Sequence, residues 1–487
     1  MTVRLFKQKH ILIFILVTMV FLICLKLPMD PDMGWHLQDG QLILANKGIP
    51  ATDPYSYTMP DFPVIFHEWL TDIIMWLIYY RLGLLVLSVV FAAITFLAFI
   101  TVARSIPARF EYQILAALLG AIASIPIIGA RPQMITLLGL AMIIYIFYRF
   151  KNNPRSKIIY WLPLIFLFWV NLHGGFVIGL FILGLFLGLE LLRHWLSRFI
   201  KKFSITIMAW RDWLKLAILT VGSALVTLLN PYGYKIYEEI YRTFFDCTYA
   251  RQNILEWLPL KFFQLNATQF IIYLILFVIL LLVAWRKIDF SYLIVTIIFG
   301  VLAFTSWRNV PLFILVSIPF WVYFVKNLTG QTLVKFMRSK WTIVVLLICL
   351  FLLGQQKYNE LVPHTKSVVE LAKKAHYPIE LTQWLADNPQ EGNVFNEYNW
   401  GGFLIWQLPE QKFFIDGRMA CWEQNDIEIF RMHQRALRQE ESWPEVFDQF
   451  DIKWAILGKN DLIGAILVSQ GWQEIYADDL AKILRKE

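Results

Sequence analysis

Apolar runs of about the length of a bilayer crossing recur through the first 354 residues, at 11–27, 84–103, 114–130, 134–150, 158–172, 176–194, 213–229, 269–285, 290–306, 310–325 and 341–354. A helix crossing the hydrocarbon needs roughly 20 mostly apolar residues, so this pattern predicts about eleven transmembrane helices. The first run follows Arg4, Lys7 and Lys9 and continues into Pro28-Met29-Asp30. It lacks the small-residue cleavage site of a secretory signal and reads as an uncleaved span. Residues 67–83 (HEWLTDIIMWLIYYRLG) are nearly as apolar, but Trp69, Trp76, Tyr79 and Tyr80 mark them as a helix lying along a membrane interface.

The pattern changes after residue 354. The predicted elements there are a helix over 377–388, strands at 393–398 and 403–407, an extended segment at 412–415, a helix over 426–439, a strand at 454–457, a helix near 460–470 and an extended segment at 474–476. That alternation predicts a small α/β domain. The expected fold class is therefore a polytopic α-helical membrane protein, residues 1–354, with a C-terminal α/β domain, residues 355–487. The first outer loop covers 29–83.

Composition agrees: 58% of the residues are hydrophobic and only 16% charged, which argues against a soluble enzyme and against disorder. The net charge of +8 hides an asymmetry. Residues 355–487 hold 14 Lys and Arg against 21 Asp and Glu, whereas residues 1–354 hold 30 against 15. With a cytoplasmic N-terminus, 21 of those 30 cations fall on the cytoplasmic side, as the positive-inside rule requires. The odd number of spans then places the C-terminal domain outside the cell. The basic excess belongs to membrane loops, and no nucleic-acid partner is implied. The four cysteines are scattered singly and predict no disulfide framework.

This topology sends the unusual sequences to one face: DPDMGWHLQDG (30–40), GIPATDPYSYT (48–58), FHEWL (66–70), ARPQ (130–133), NLHGG (171–175), NPYG (230–233), NILEWLP (253–259) and WRNVP (307–311). Irregular polar backbone near a membrane is tolerated where it packs on protein or lines a wet cavity. In Asp30-Pro31-Asp32 the proline favours an extended Asp30, and carboxylates two apart on an extended chain project to one side. His36, His67 and Glu68 share the same loop. Together these groups suit a general base or a divalent cation, and the plain alternative is a polar stop with solvated acids. Arg131, His173 and Arg308 occupy short outer turns and suit an anionic headgroup. Taken singly, each also fits snorkelling or pairing with a loop acid.

The order of these pieces resembles the GT-C glycosyltransferases, which include the protein mannosyltransferases, the aminoarabinose transferase of lipid A and the Rgt-type lipopolysaccharide sugar transferases. The resemblance lies in the acids ending span 1, here Asp30 and Asp32, in the long first outer loop with its interfacial helix, and in Arg131-Pro132 at a hairpin top. The wording DMGWHL…GIPATDPYSYT…HEWL resembles a bacterial and archaeal branch described only as membrane proteins. The chain departs from the mannosyltransferases in having Asp32-Met33 where they show Asp-Glu. The resemblance implies an inverting transferase that moves a sugar from a polyprenyl-phosphate donor to a lipid, glycan or protein hydroxyl outside the cell. In that scheme Asp32 is the base, Asp30 its helper or a metal ligand, and Arg131, His173 and Arg308 contact the phosphate. A transporter or flippase for a lipid-linked or anionic substrate is the alternative from another class.

Overall fold

In the computed structural model the described residues are 2–197, 207–260, 267–284, 289–440 and 443–487. Of the basic residues used for the topology, Arg198, Lys201, Lys202, Lys261, Arg286 and Lys287 lie outside them. Two compact units emerge. The first comprises Met1–Lys26, Ser88–Gly233 and Leu255–Glu360, and the second comprises Leu27–Leu87, Tyr234–Ile254 and Leu361–Glu487.

The first unit is helical, and each of the eleven apolar stretches overlaps a helix among the described residues. Among the described residues, five helices are long and apolar enough to cross a membrane: Trp69–Ala103, Gln133–Asn152, Phe176–Ser197, Trp307–Leu328 and Lys340–Leu361. The helix Val310–Phe324 is buried on almost every side, as its all-round apolar sequence demands. It packs against Phe290–Thr305, Phe110–Ala123 and Gln133–Asn152. Gly139 and Gly179 both abut the Trp169 ring, so small residues permit close helix approach there. At the ends of these helices Lys151 binds Glu190 at 2.6 Å and Asp289 at 3.0 Å, while Arg193 binds Asp289 at 2.6 Å. Two cations thus meet two acids in a mostly buried network.

The second unit begins with the helix Met33–Asn46. The helix Trp69–Ala103 breaks at Gly83, whose φ of 82° and ψ of 178° suit glycine alone, so the run up to Leu82 is a separate piece. The C-terminal segment carries a four-stranded sheet of β1 (Asn393–Asn396), β4 (Ile452–Gly458), β5 (Gln473–Ala477) and β6 (Ala481–Arg485) in the order β1-β4-β6-β5. The strands β2 (Glu423–Gln424) and β3 (Ile427–Glu428) form a small separate hairpin. β1 runs parallel to β4, and β6 is antiparallel to both of its neighbours.

Three expectations are corrected here. Residues 403–407 are not a strand but part of the helix Gly401–Gln407, in which Gly401–Trp406 are all buried. A short, uniformly apolar run has no periodicity to separate strand from helix. The segment 412–415 stays out of the four-stranded sheet: Phe413 bridges to Ser56, and the Asn396 side chain accepts from the N–H groups of Phe414 and Ile415. Finally, Cys247 and Cys421 form a disulfide across 174 residues, a pairing that spacing along the chain does not signal. Cys24 and Cys349 are free.

Candidate functional site

Asp30-Pro31-Asp32 forms a tight turn instead of the extended pair expected from sequence. Asp30 Oδ1 accepts the Asp32 N–H at 3.0 Å and the Asp30 carbonyl accepts the Met33 N–H, so the first carboxylate folds back onto the backbone in an Asx-type turn. Asp32 has helical angles and precedes the helix Met33–Asn46 without capping it. Its Oδ1 instead accepts from Trp35 Nε1 at 3.0 Å. Asp30 and Asp32 are both half-buried residues, and Asp30 Oδ2 itself is buried.

Residues of the C-terminal segment hem this turn in, which accounts for the glycines of its two motifs. A Cβ on Gly417 would collide with Asp32 Oδ1, one on Gly402 with the Pro31 carbonyl, and one on Gly34 with the Gly402 carbonyl. The Tyr377 hydroxyl donates to the Met29 carbonyl at 3.1 Å. Burial, together with the charges of Asp30 and Asp32, pushes that phenol's pKa well up and keeps it a proton donor.

Behind the turn lies a buried polar cluster. His36 Nδ1 meets Asp72 Oδ1 at 2.6 Å, and its Nε2 faces Glu68 Oε2 at 3.4 Å. His67 is half-exposed and approaches Glu68 Oε1 at 3.7 Å. Arg418 binds both oxygens of Asp416 and reaches Asp53 at 2.9 Å, with its guanidinium over the Tyr55 and Trp422 rings. Burial opposes the Arg418 cation, but Asp416 and Asp53 outweigh it and hold its pKa well above the ordinary arginine value. Asp39 is fully buried, and burial drives its pKa far up against the opposing charge of Arg418. The Tyr55 hydroxyl faces Asp39 without closing a hydrogen bond of normal geometry.

In the first unit Arg131 grips both oxygens of Glu256, at 2.8 and 2.9 Å. Pairing with a loop acid is therefore its state here. Arg308 lies over the Trp257 ring at 5.5 Å, and Ser306 Oγ donates to the Glu256 carbonyl, so the 255–257 and 306–309 turns interlock. His173 Nδ1 accepts the Gly175 N–H at 2.8 Å and meets Thr136 Oγ1 at 2.8 Å. Because Nδ1 is the acceptor, the proton of the neutral ring sits on Nε2. Thr136 lies one turn after Arg131, so both predicted residues attach to the start of the helix Gln133–Asn152.

The structure therefore places His36, His67 and Glu68 together, sets Asp30 and Asp32 in the adjoining turn, and puts Arg131 and Arg308 against the 255–257 turn and His173 against Thr136. Sequence reading missed Asp39, Asp53, Asp72 and Arg418 as members of one cluster. Asp39 and Asp72 have the only local signal, helical spacing of three from His36 and four from Glu68.

No protein-family model and no curated protein matches the chain. Solved structures do match. The oligosaccharyltransferase AglB of Archaeoglobus fulgidus, in complex with an inhibitory peptide and a dolichol-phosphate, aligns with a TM-score of 0.59 at 12% identity over 93% of this chain and 69% of its own. The same archaeal enzyme in its apo form gives 0.55 at 11% identity over the same shares. ArnT from Cupriavidus metallidurans, bound to undecaprenyl phosphate, gives 0.54 at 12% identity over 96% of this chain and 95% of its own. The chain shares the GT-C fold of these glycosyltransferases.

Proposed function

We propose that this chain is a membrane glycosyltransferase that moves a sugar from a polyprenyl-phosphate donor to an acceptor hydroxyl on the extracytoplasmic face. The observation that carries the reading is the GT-C fold, matched end to end with a transferase bound to undecaprenyl phosphate. The fold gives the transporter alternative no comparable support.

A phosphate leaving group needs no general acid, so catalysis calls for a base at the acceptor hydroxyl and positive charge at the departing phosphate. Asp32 is the base. Asp32 is a half-buried residue whose carboxylate is oriented by Trp35, whereas Asp39, Asp53, Glu68, Asp72 and Asp416 are buried. Asp30 shapes the turn through the Asp32 N–H and is a positioning residue. Arg131, Arg308 and His173, through Nε2–H, receive the phosphate. The phosphate competes with Glu256 for the Arg131 fork, an exchange of one anion for another at a guanidinium. A single displacement would invert the anomeric carbon. The Cys247–Cys421 disulfide fits a second unit in an oxidising compartment outside the cytoplasm.

The test is sugar transfer from a polyprenyl-phosphate donor by the purified chain in detergent. Asp32→Asn is expected to lower kcat by about 10² to 10⁴, the range of general-base catalysis. Full activity in that variant would remove Asp32 from the role.

A further inference from the structure

In the second unit the helix Lys235–Tyr241 continues through a wider turn, Arg242–Asp246. One side of it is fixed to protein. Ile236 is buried, Glu239 pairs with Arg242, and the Arg242 guanidinium lies 4.8 Å from the centre of the Phe62 ring. Cys247, directly after the turn, is bonded to Cys421. The other side is aromatic and open. Tyr234, Tyr241 and Phe245 recur at intervals of seven and four, which brings them to one face of a helix. They are 64%, 58% and 65% exposed, and Phe244 beside them is 52% exposed. The Tyr241 and Phe245 rings stack at 4.8 Å. Four rings at this exposure make a patch of roughly a few hundred Å², the size at which exposed apolar surface marks an interaction site.

What covers this face follows from how the chain enters it. The helix Trp210–Val226 leaves Leu214, Ile218, Val221 and Leu225 exposed along one side at helical spacing, a stripe that suits hydrocarbon. The Asn230–Gly233 turn then leads to Tyr234. It is closed by the Gly233 N–H on the Asn230 carbonyl and by the Asn230 side-chain amide on the Gly233 carbonyl. Such a turn keeps its ends within about 7 Å of each other. The aromatic helix therefore begins where the apolar stretch 213–229 leaves the hydrocarbon. The unit holds one parallel case: Ile74, Leu77, Tyr80 and Leu82 are exposed on the run that breaks at Gly83 and continues into the apolar stretch 84–103. Tyrosine, apolar in its ring and polar at its tip, favours the membrane–water boundary.

We propose that Tyr234, Tyr241, Phe244 and Phe245 form a second bilayer-docking surface, sunk among the headgroups and upper acyl chains of the phospholipid leaflet that the stretch 213–229 leaves. An amphipathic helix held in this way buries its apolar face about 5–10 Å deep. Through the Cys247–Cys421 bond the contact also ties the C-terminal segment of the unit to the membrane surface. The proposal depends on the chain being embedded in a bilayer and not on the transferase reading.

The experiment uses the full chain in phosphatidylcholine vesicles that contain a trace of phosphatidylcholine with a photoactivatable diazirine beside its glycerol backbone. After irradiation and digestion, mass spectrometry maps the lipid adducts. They are expected on the peptides holding 234–246 and 74–82, and not on Leu462 and Val468, exposed apolar residues of the same unit. The paired variant Phe244→Ser, Phe245→Ser should lose adducts across 234–246 at least about tenfold, because burying each ring is worth at least that factor, and should keep those on 74–82. An intact Cys247–Cys421 bond in the same map identifies folded variant, and the wild-type map decides alone if the variant does not fold. A wild-type map without adducts on 234–246, equal labelling of Leu462 and Val468, cross-linking of 234–246 to a second copy of the chain in place of lipid, or unchanged labelling of the folded variant overturns the proposal.

Discussion

At the residue scale, the Asp32 carboxylate is set by what touches it, while Asp30 acts on the backbone N–H of the same residue. Trp35 holds Oδ1 from one side, and the absence of a side chain at Gly417 leaves room for the same oxygen on the other. Gly417→Ala therefore tests positioning separately from charge. The added methyl must push the Asp32 carboxylate or the 416–418 backbone aside, and a misplacement of about 1 Å at a reacting group can lower turnover about 10²-fold. The expected result is a fall in kcat with little change in donor KM, read by steady-state kinetics beside an unfolding curve. Unchanged kcat in a folded variant would mean that Asp32 tolerates displacement and is not held for chemistry.

At the scale of elements, the parallel strands β1 and β4 end side by side and bring two acids close enough to repel. Glu397 follows β1, and Asp461 follows β4, where it accepts the Gly458 N–H at 2.6 Å. Burial, with Asp461 adding repulsion, pushes the Glu397 carboxyl up to about 7 from its ordinary 4.5. The folded chain then binds more protons than the unfolded one between those values, so stability falls as pH rises through that window. Above about 7 the penalty is fully developed. Melting temperature measured across the window should decline more steeply in the wild type than in Glu397→Gln. Parallel curves for the two proteins would show that Glu397 ionises normally.

Elements also show how far local pattern reaches. The helices at 379–387, 429–438 and 462–469 and the strands β1, β4 and β5 occupy positions close to those the sequence pattern assigns. The segments 403–407 and 412–415 do not behave as expected, because their conformation answers to partners far along the chain: Pro31 beside Gly402, and Ser56 beside Phe413. β6, absent from the sequence reading, sits between β4 and β5 and completes the sheet.

At the scale of the whole molecule, the chain is divided by contact rather than by order. The second unit draws on three separate stretches, so residues 27–87, 234–254 and 361–487 fold together. The Cys247–Cys421 bond links two of those stretches, and it persists only where thiols are oxidised. In intact cells, Cys247 and Cys421 are expected to resist a membrane-impermeant maleimide until a reductant is added from outside. Cys247→Ser in turn should expose Cys421 to the reagent without reduction. Labelling of both cysteines without reductant, or labelling that requires lysis, would place this unit in a reducing compartment and remove the outward orientation.

The sequence by itself determined the apolar helices and the α/β character of the tail. Each of these is written in local composition or in a repeat of a few residues, and burial of apolar surface enforces it wherever the helix or strand finally packs. Only the tertiary structure decided that Arg418 meets Asp53, that His36 meets Asp72, that Arg131 is held by Glu256 and that Cys247 meets Cys421. Such pairings join residues tens to hundreds of positions apart. The buried ion pairs among them answer the need to compensate charge where water is excluded, the disulfide needs two thiols brought together, and no periodicity along the chain encodes either partner.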